Sequence, residues 1–184
     1  MVNRPTYPIE IAGVKRELNL FEVAPGLKIA VLNILGDTEL VQAAAGELAK
    51  KLAALPYDIL VTAEAKSIPL VYALSVITRK AHVVLRKAYK PYMGAALSAE
   101  TLSITTGRPQ MLYLDEKDHD LLKGKAVVIL DDVISTGSTL NGMRLLMEKA
   151  GAEVAAEAAI FTEGDDPAAW QHIIALGNLP LFKS

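Results

Sequence analysis

The stretch VVILDDVISTGST, residues Val127–Thr139, decides the fold and carries most of the chemistry that the sequence offers. Its four leading apolar residues, three of them β-branched, predict a central parallel strand that is buried on both faces. Asp131 and Asp132 come where this predicted strand ends, and small hydroxyl residues with Gly137 follow. Apolar residues at helical spacing then predict a helix from Thr139, so the small-residue loop opens a helix N-terminus.

The loop after the strand has the properties of a phosphate cradle. Free backbone N–H groups and the positive end of the helix dipole favour an anion there, and hydroxyl groups add donors without filling the space. A side chain in place of Gly137 would occupy that space or deny the backbone its turn. We expect the cradle to consist of Ser135, Thr136, Gly137, Ser138 and Thr139.

The two carboxylates suit a different part of a ligand. Asp131 and Asp132 would repel a phosphate, but they can accept hydrogen bonds from two vicinal hydroxyls or orient waters on Mg²⁺. A ribose 5-phosphate presents both features. The alternative is a buried strand that ends in a capped helix, with both aspartates merely polar at the sheet edge. A Walker-type nucleotide loop does not fit, since Gly124-Lys125 precedes the strand and no Gly-Lys-Ser/Thr follows it.

Length and composition indicate a compact enzyme. The 184 residues predict a single domain, residues 1–184, that can bury a substantial core. A hydrophobic fraction of 52% and a mean hydropathy of +0.29 are high for a monomer and predict a homodimer. The absence of cysteine excludes disulfides, and a net charge of −2 gives no electrostatic case for nucleic acid or a membrane. Without a signal peptide or a spanning segment, we expect a cytoplasmic protein.

The chain begins with a small β-rich lobe and continues as alternating helices and strands. Three segments with strand-like alternation lie within residues 1–36, which we call the hood. From the N-cap Asp37 onward, the pattern predicts a parallel sheet flanked by helices, an α/β fold with right-handed crossovers. The predicted strands are Asp58–Thr62, Ala81–Leu85, Ala126–Asp131, Val154–Phe161 and a short one near Leu179. Besides those after Asp37 and from Thr139, the predicted helices are Pro69–Thr78 and Ala168–Ala175.

Residues 90–120 interrupt this alternation, and we call them the flap. Two candidate strands, near Thr101–Thr105 and over Met111–Leu114, predict a hairpin-like excursion between two strands of the sheet. One interpretation is a mobile lid that closes over the site and shields the reacting sugar from water. A structural β-arm or a dimer contact is the alternative, and both interpretations stay open.

The run Val127–Thr139 resembles the phosphoribosyl pyrophosphate signature of the type I phosphoribosyltransferases at every step. From about residue 58 to the end, the chain is most similar to the adenine phosphoribosyltransferases and their xanthine and hypoxanthine relatives. The resemblance implies a Mg²⁺-dependent purine phosphoribosyltransferase of purine salvage. Such an enzyme makes a nucleoside 5′-monophosphate and pyrophosphate from a free base and phosphoribosyl pyrophosphate. It also implies that Asp131 and Asp132 hold the ribose hydroxyls.

Two further segments resemble the parts of these enzymes that bind pyrophosphate. Thr62–Ser67 follows a strand and resembles the pyrophosphate loop, although an ordinary strand-to-helix connection is the alternative for each of its residues. Arg86 and Lys87, at the end of the next strand, resemble the basic pair that neutralises the leaving pyrophosphate. The implied pyrophosphate ligands are Ala65, Lys66, Ser67, Arg86 and Lys87.

The base itself is less well indicated by the sequence. Base contacts in the family come largely from backbone groups of the hood, which correspond to Leu32, Asn33 and Ile34. Adenine enzymes carry a glutamate in the flap before a Tyr-Gly pair; here Thr105 takes its place, and Glu100 lies five residues earlier. Serine and threonine in this loop look closer to the xanthine type. Adenine is therefore the first choice, and hypoxanthine or xanthine stays open.

The alternative from another class is a non-catalytic regulator that binds phosphoribosyl pyrophosphate, as purine repressors resembling this family do. Those proteins carry an added DNA-binding domain, and the first 57 residues here show no helix-turn-helix pattern or basic patch. His82, His119 and His172 share no metal-ligand spacing. Trp170 is expected to pack a C-terminal helix; its functional alternative, stacking on a base, would require the C-terminal segment to reach the site.

Overall fold

The computed structural model describes residues 4–102 and 109–183, which form a five-stranded sheet, a four-stranded sheet and a two-stranded hairpin. In chain order the strands are β1 (Thr6–Ile11), β2 (Val14–Ala24), β3 (Leu27–Ala30), β4 (Ile59–Ala63), β5 (Ala81–Leu85), β6 (Leu97–Leu102), β7 (Pro109–Leu114), β8 (Ala126–Ile134), β9 (Glu153–Glu163), β10 (Ile174–Leu179) and β11 (Phe182–Lys183). The helices are α1 (Thr38–Leu52), α2 (Ile68–Thr78), α3 (His119–Leu122) and α4 (Ser138–Lys149). Short 3₁₀ turns cover Pro91–Met93, Glu116–Asp118 and Pro167–Trp170.

The five-stranded sheet is parallel, has the order β10-β9-β8-β4-β5, and carries a core on each face. On one face Leu60 and Val128 pack with α1 and α2. On the other face Val61 and Ile129 pack with α4. Successive side chains of a strand point to opposite faces, so a strand covered on both sides must be apolar throughout. The predicted α/β class, a parallel sheet flanked by helices, is confirmed.

Strand β8 runs further than predicted, to Ile134 rather than Asp131. Its pairing with β4 stops at Thr62 and Leu130, whereas its pairing with β9 continues to Ile134 and Thr162. Asp131 therefore lies within the strand, on a stretch that has a neighbour on one side only. The loop between β4 and α2 occupies the side that β4 leaves, and this arrangement brings the loop to the carboxylates.

The hood is built around a four-stranded antiparallel sheet of order β1-β2-β3-β11. Its β-rich character follows the prediction, but the last strand comes from the other end of the chain: Phe182 of β11 pairs with Lys28 of β3. The ring of Phe182 also meets that of Tyr7 edge to face at 5.3 Å. Pairing between segments so far apart in the chain leaves no mark in the local pattern.

Asp37 joins the hood to the helical layer and confirms the predicted N-cap. Its side chain accepts the Leu40 N–H at 3.2 Å. Arg16 of β2 donates to the same carboxylate from Nε at 2.7 Å and from Nη2 at 2.8 Å. The Arg16 guanidinium holds the pKa of Asp37 below its usual range. One carboxylate thus caps α1 and anchors it to β2.

The predicted helix over Ala168–Ala175 is wrong. A 3₁₀ turn covers Pro167–Trp170, and β10 begins at Ile174, which pairs with Ala158 of β9. The ladder with β9 pairs the backbone of Ile174 and Ala175, and this tertiary pairing overrides the apolar pattern that suggested a helix. Trp170 therefore packs no C-terminal helix.

The hairpin of β6 and β7 packs on α4. Ala99 and Leu112 are buried in the same core as α4, and the Lys149 ammonium donates to the Ser98 carbonyl at 2.6 Å. The predicted first strand near Thr101–Thr105 starts earlier, at Leu97. Within the flap, the described stem is thus part of the core, and residues 103–108 lie outside the described residues. The interpretation of the flap as a lid stays a prediction.

Among the described residues, α1 through α4 include no helix long and apolar enough to cross a membrane.

Packing of the hairpin on α4 can be tested at Gly142, where an added Cβ would lie 2.0 Å from Thr101 Cγ2 and 3.2 Å from Leu112 Cδ1. We expect Gly142→Ala to be net destabilising in urea unfolding, because overpacking costs about 1–3 kcal/mol. Gly46 of α1 has no heavy atom within 4 Å of the same position. The matched control Gly46→Ala should stabilise by up to about 1 kcal/mol through helix propensity. Equal shifts in the two variants would contradict the packing.

Candidate functional site

Ser67 joins the two carboxylates of the acidic pair. Its hydroxyl lies 2.7 Å from Asp131 Oδ1 and 3.2 Å from Asp132 Oδ1, and it accepts the Asp132 N–H at 3.0 Å. Ser67 is buried at the start of α2. Its hydroxyl, predicted to bind pyrophosphate, is thus already used by the acidic pair. The loop after β4 fixes the orientation of both aspartates.

Lys66 places a positive charge beside Asp132. Its ammonium lies 3.2 Å from Asp132 Oδ2, but the two are not aligned for a hydrogen bond. Asp132 is only 6% exposed, and its Oδ2 accepts no hydrogen bond from the described residues. A buried acceptor without a donor costs free energy. The hydrogen-bonding capacity of this oxygen is therefore unused among the described residues.

Asp131 titrates far above an ordinary aspartate. Burial, and next the charge of Asp132, raise the pKa of Asp131 to about 7, while the Ser67 hydrogen bond partly offsets the rise. Hydroxyl donors from a ligand would favour the ionised carboxylate and lower this pKa. Binding of such a ligand would consequently release a proton near neutral pH.

The phosphate cradle forms a cavity at the N-terminus of α4. Gly137 is the N-cap residue and has a left-handed backbone, with φ +74°. Its carbonyl accepts the Asn141 N–H at 2.9 Å, which begins the helix. The cavity has a volume of about 160 Å³ and is lined by Gln110, Asp131 and residues 133–140. All five residues predicted for the cradle line this one cavity.

Of the two effects expected for a side chain at Gly137, the structure supports loss of the turn. The positive φ favours glycine at this position. A Cβ there would not fill the cradle, however, because it would meet the Trp170 ring, 2.8 Å from Cη2.

A second cavity lies on the other side of the acidic pair. Its volume is about 190 Å³, and it is lined by residues 63–67, Lys87, residues 131–133 and Thr139. Asp131 and Thr139 line both cavities. The predicted residues Ala65, Lys66 and Lys87 therefore share one cavity, next to the cradle. The second cavity offers lysine ammonium groups to an anion, and the cradle offers backbone N–H groups. The acidic pair lies between these two places.

Arg86 does not join this second cavity. Its Nε donates to Glu64 Oε2 at 2.7 Å and its Nη1 lies 3.4 Å from the Tyr92 hydroxyl. Glu64 raises the pKa of Arg86 further, with a smaller contribution from Tyr92. The other oxygen of Glu64 accepts the Lys87 N–H at 2.6 Å. Of the predicted basic pair, only Lys87 lines the second cavity, because Glu64 of the loop after β4 binds Arg86.

The hood segment predicted to contact the base lies next to the loop after β4. Leu32 and Ile34 are buried and Asn33 is exposed. The carbonyl of Leu32 accepts the Lys66 ammonium at 3.4 Å. Lys66 thus spans the distance between this segment and Asp132, and a ligand bound here would lie near the acidic pair.

The two predicted flap residues cannot be treated alike. Glu100 is exposed and pairs with Met111 across the hairpin, so it faces away from the buried side chains of Ala99 and Thr101. Thr105 lies outside the described residues.

Sequence reasoning missed three residues near the site. Gln110 of β7 lines the cradle, Trp170 stands against Gly137, and Glu163 ends β9 half-buried. Burial raises the pKa of Glu163, and the charge of Lys66 lowers it in part. Local sequence gave no signal for Gln110 or Trp170, because tertiary packing brings them to α4. Glu163 carries the same strand-end signal as Asp131.

The acidic pair could hold a metal ion only with help from a ligand. Among the described residues, no group of three or more His, Cys, Asp or Glu side chains is placed to bind a metal. Asp131 and Asp132 offer carboxylate oxygens, the ligands that Mg²⁺ prefers, but Mg²⁺ needs about six ligands. The remaining positions would have to come from water and a substrate.

The phosphoribosyl transferase domain matches residues 32–176, which include the loop after β4, the acidic pair and the cradle. The chain belongs to this family. The predicted family and the predicted enzyme class, a pentosyltransferase, are thereby confirmed.

Individual phosphoribosyltransferases show how far the likeness extends. An adenine phosphoribosyltransferase of Thermosipho africanus is 34% identical over 125 residues, 67% of this chain and 69% of the relative. A hypoxanthine/guanine phosphoribosyltransferase of Methanocaldococcus vulcanius is 37% identical over 106 residues, 58% of this chain and 54% of the relative. The purine biosynthesis transcriptional repressor PurR of Bacillus subtilis is 29% identical over 133 residues, 72% of this chain and 46% of the relative. The chain thus spans about half the length of the latter two.

Solved structures agree on the fold. The adenine phosphoribosyltransferase of Thermoanaerobacter pseudethanolicus has a TM-score of 0.70 at 24% identity, with 88% of this chain and 95% of that chain covered. The enzyme of Giardia lamblia has a TM-score of 0.65 at 16% identity, with 94% and 93% covered. At such identities the likeness establishes the type I phosphoribosyltransferase fold alone.

The raised pKa of Asp131 predicts how stability depends on pH. Between the ordinary aspartate pKa and about 7, the folded chain keeps a proton that the unfolded chain has lost, so stability falls as pH rises. Asp131→Asn should remove this loss. We expect its thermal midpoint to equal that of the wild type at about pH 4 and to exceed it at about pH 8.

Asp37 provides the control of opposite sign, since Arg16 lowers its pKa and asparagine is also a good N-cap. Asp37→Asn should lower the thermal midpoint above the ordinary aspartate pKa and match the wild type in acid. A midpoint for Asp131→Asn that does not rise relative to wild type between the two pH values would contradict the raised pKa.

Proposed function

We propose that this phosphoribosyltransferase transfers the phosphoribosyl group of phosphoribosyl pyrophosphate to a ring nitrogen of a free purine, with Mg²⁺, in purine salvage. The products would be a nucleoside 5′-monophosphate and pyrophosphate. The observation that carries the proposal is the position of Asp131, which lines both the cradle and the cavity of Lys66 and Lys87. A substrate with a phosphate at one end, a pyrophosphate at the other and two hydroxyls between them matches this order.

Each part of the substrate has a group of matching chemistry. The 5-phosphate would lie in the cradle, where N–H groups of α4 and hydroxyls donate to it. The ribose hydroxyls would donate to Asp131 and to the unused Oδ2 of Asp132. The pyrophosphate would lie by Lys66 and Lys87. Arg86 would contribute only if it left Glu64.

The proposed reaction is a displacement at the anomeric carbon. The bond from this carbon to the pyrophosphate oxygen breaks and its electron pair leaves with pyrophosphate. The base nitrogen forms the new bond, and its proton passes to the departing pyrophosphate or to water. Lys66 and Lys87 would stabilise the charge of the leaving group, and Asp131 and Asp132 would hold the ribose that gains positive character. Mg²⁺, carried by the substrate, would neutralise further pyrophosphate charge when bound.

Adenine is the first-choice base, and hypoxanthine, guanine or xanthine is the alternative. The relatives that support a purine bear the names of adenine and of hypoxanthine/guanine enzymes. In this chain the base would contact backbone groups of Leu32, Asn33 and Ile34 in the hood. Backbone groups are the same for most residue types, so these residues do not indicate which base binds.

The direct test is pyrophosphate release from phosphoribosyl pyrophosphate with each of adenine, hypoxanthine, guanine and xanthine. We expect release with at least one base, adenine first, and strong loss of it in Asp131→Asn with Asp132→Asn. A regulator, the role that the name of the Bacillus subtilis relative indicates for that protein, would bind the substrate and release pyrophosphate with none. That outcome would refute the enzymatic proposal and favour the alternative.

Two single variants should separate the two ends of the substrate. Lys87→Ala removes a charge beside the pyrophosphate, so binding of phosphoribosyl pyrophosphate should weaken by about tenfold or more, while ribose 5-phosphate binds as before. Ser135→Ala removes one neutral donor and should weaken both ligands equally, by no more than about tenfold. Titration calorimetry measures both. A Lys87→Ala variant that weakens the two ligands equally would contradict the proposed orientation.

The predicted homodimer also stays a proposal. Helix α2 exposes Tyr72, Val76 and Ile77 beside a cavity of about 390 Å³ that α1 and α2 line with apolar side chains. Apolar surface of this kind suits a subunit contact. Sedimentation velocity would measure the mass in solution, and a monomer at working concentration would rule the proposal out.

A further inference from the structure

The indole of Trp170 stands against the glycine of the phosphate cradle. An ideal Cβ on Gly137 would lie 2.8 Å from Trp170 Cη2, 3.4 Å from Cζ3 and 3.8 Å from Cζ2. Three ring atoms thus cover the place to which any side chain at this position would point. Among the described residues that line the cradle, Trp170 does not occur. The ring therefore supports the loop from behind and leaves the anion's space free.

We propose that Trp170 is a positioning residue of the phosphate cradle. Its ring holds Gly137 in the left-handed conformation with which the loop enters α4, so that the backbone N–H groups are fixed before a phosphate arrives. The inference rests on the proposed function of the cradle as a phosphate site and adds a residue that no cradle pattern in the sequence contains.

Glycine makes such support necessary. Without a Cβ, Gly137 can adopt positive and negative φ about equally well, so the residue that permits the turn also permits its loss. A rigid neighbour removes the alternative conformations of the free loop. Binding then costs less ordering of the backbone, which is the general advantage of a preorganised site.

The carbonyl side of Gly137 is held through α4. Its oxygen accepts the Asn141 N–H at 2.9 Å, and the Asn141 side chain accepts from Arg144 Nη1 at 2.9 Å. Arg144 in turn donates from Nη2 to Glu157 of β9 at 2.5 Å. Glu157 is buried, whereas the Arg144 side chain is 41% exposed, so this ion pair is part-buried.

Glu157 also lies near His172, which is close to Trp170. His172 Nε2 lies 3.8 Å from Glu157 Oε2, and the rings of His172 and Trp170 are 6.0 Å apart. The Trp170 carbonyl accepts the Ile173 N–H at 2.8 Å, just before β10. Contacts therefore run from Gly137 through α4, β9 and the 3₁₀ turn back to Gly137. The ring also packs against the core cluster that includes Ile129 of the sheet and Ile173.

The test compares Trp170→Ala and Trp170→Phe with wild type in titrations with ribose 5-phosphate. We expect Trp170→Ala to weaken binding by about tenfold or more, and Trp170→Phe to retain part of the affinity because a smaller ring remains. In turnover, the KM for phosphoribosyl pyrophosphate should rise while the KM for the base stays unchanged.

Phe182→Ala is the matched control, because it also truncates a half-buried aromatic ring but lies in the hood sheet. Both alanine variants should lower the thermal midpoint. Only Trp170→Ala should weaken ribose 5-phosphate. If both variants lower the midpoint and Trp170→Ala binds within about twofold of wild type, the tryptophan only packs the core and the proposal is overturned.

Amide hydrogen exchange of the free protein gives a readout that needs no ligand. The Asn141 N–H, which donates to the Gly137 carbonyl, should exchange faster in Trp170→Ala than in wild type or Phe182→Ala, and unchanged exchange would overturn the proposal. If wild type binds neither ribose 5-phosphate nor inorganic phosphate, the proposed function fails. Exchange still decides whether Trp170 holds the loop.

A double variant tests the contact itself. Gly137→Ala brings the strain of a positive φ and a clash with the ring, and Trp170→Ala removes the clash. In the Gly137→Ala background, Trp170→Ala should therefore cost less ribose 5-phosphate affinity than in wild type, or restore some. If the affinity loss of the double variant equals the product of the two single losses within about twofold, the two residues act independently and direct contact is contradicted.

Discussion

The unequal pairing of β8 is the constraint on which the rest of the site depends. Strand β4 stops pairing at Leu130, while β9 pairs on to Ile134. The acidic pair is thereby held rigidly from one side and left open on the other. The opening admits the loop that carries Lys66 and Ser67, and the strand then delivers the chain into the cradle. Two cavities with Asp131 between them follow from this single difference in strand length.

Burial gives the acidic pair its chemical character. Two carboxylates side by side would repel each other in any setting, and removal from water increases the cost. Ser67 and Lys66 offset part of it, but Asp131 keeps a pKa near neutrality and Asp132 keeps an oxygen without a hydrogen bond. A ligand with vicinal hydroxyls would supply the missing donors. The site without ligand therefore carries an electrostatic cost, and the hydroxyl donors of a sugar substrate would reduce it.

Prediction from sequence worked best where function and fold use neighbouring residues. The cradle and the acidic pair lie in one continuous run of sequence, and the residue types of each indicate its chemistry. It did not extend to contacts made by a second segment: Glu64 binds the Arg86 guanidinium, whose predicted role toward pyrophosphate stays a prediction. Trp170 was predicted to pack a helix, but a 3₁₀ turn before β10 holds it and brings the ring to Gly137.

The sequence by itself determined the alternation of strands and helices, the N-cap at Asp37 and the residues of the cradle, because hydrophobic period, capping and loop chemistry act over a few neighbouring residues. The tertiary structure decided which charges meet, how far β8 is paired, and that β11 closes the hood sheet. It alone brought Gln110 and Trp170 to α4. Such contacts join segments far apart in the chain, and their free energy depends on distance and burial, which no local pattern encodes.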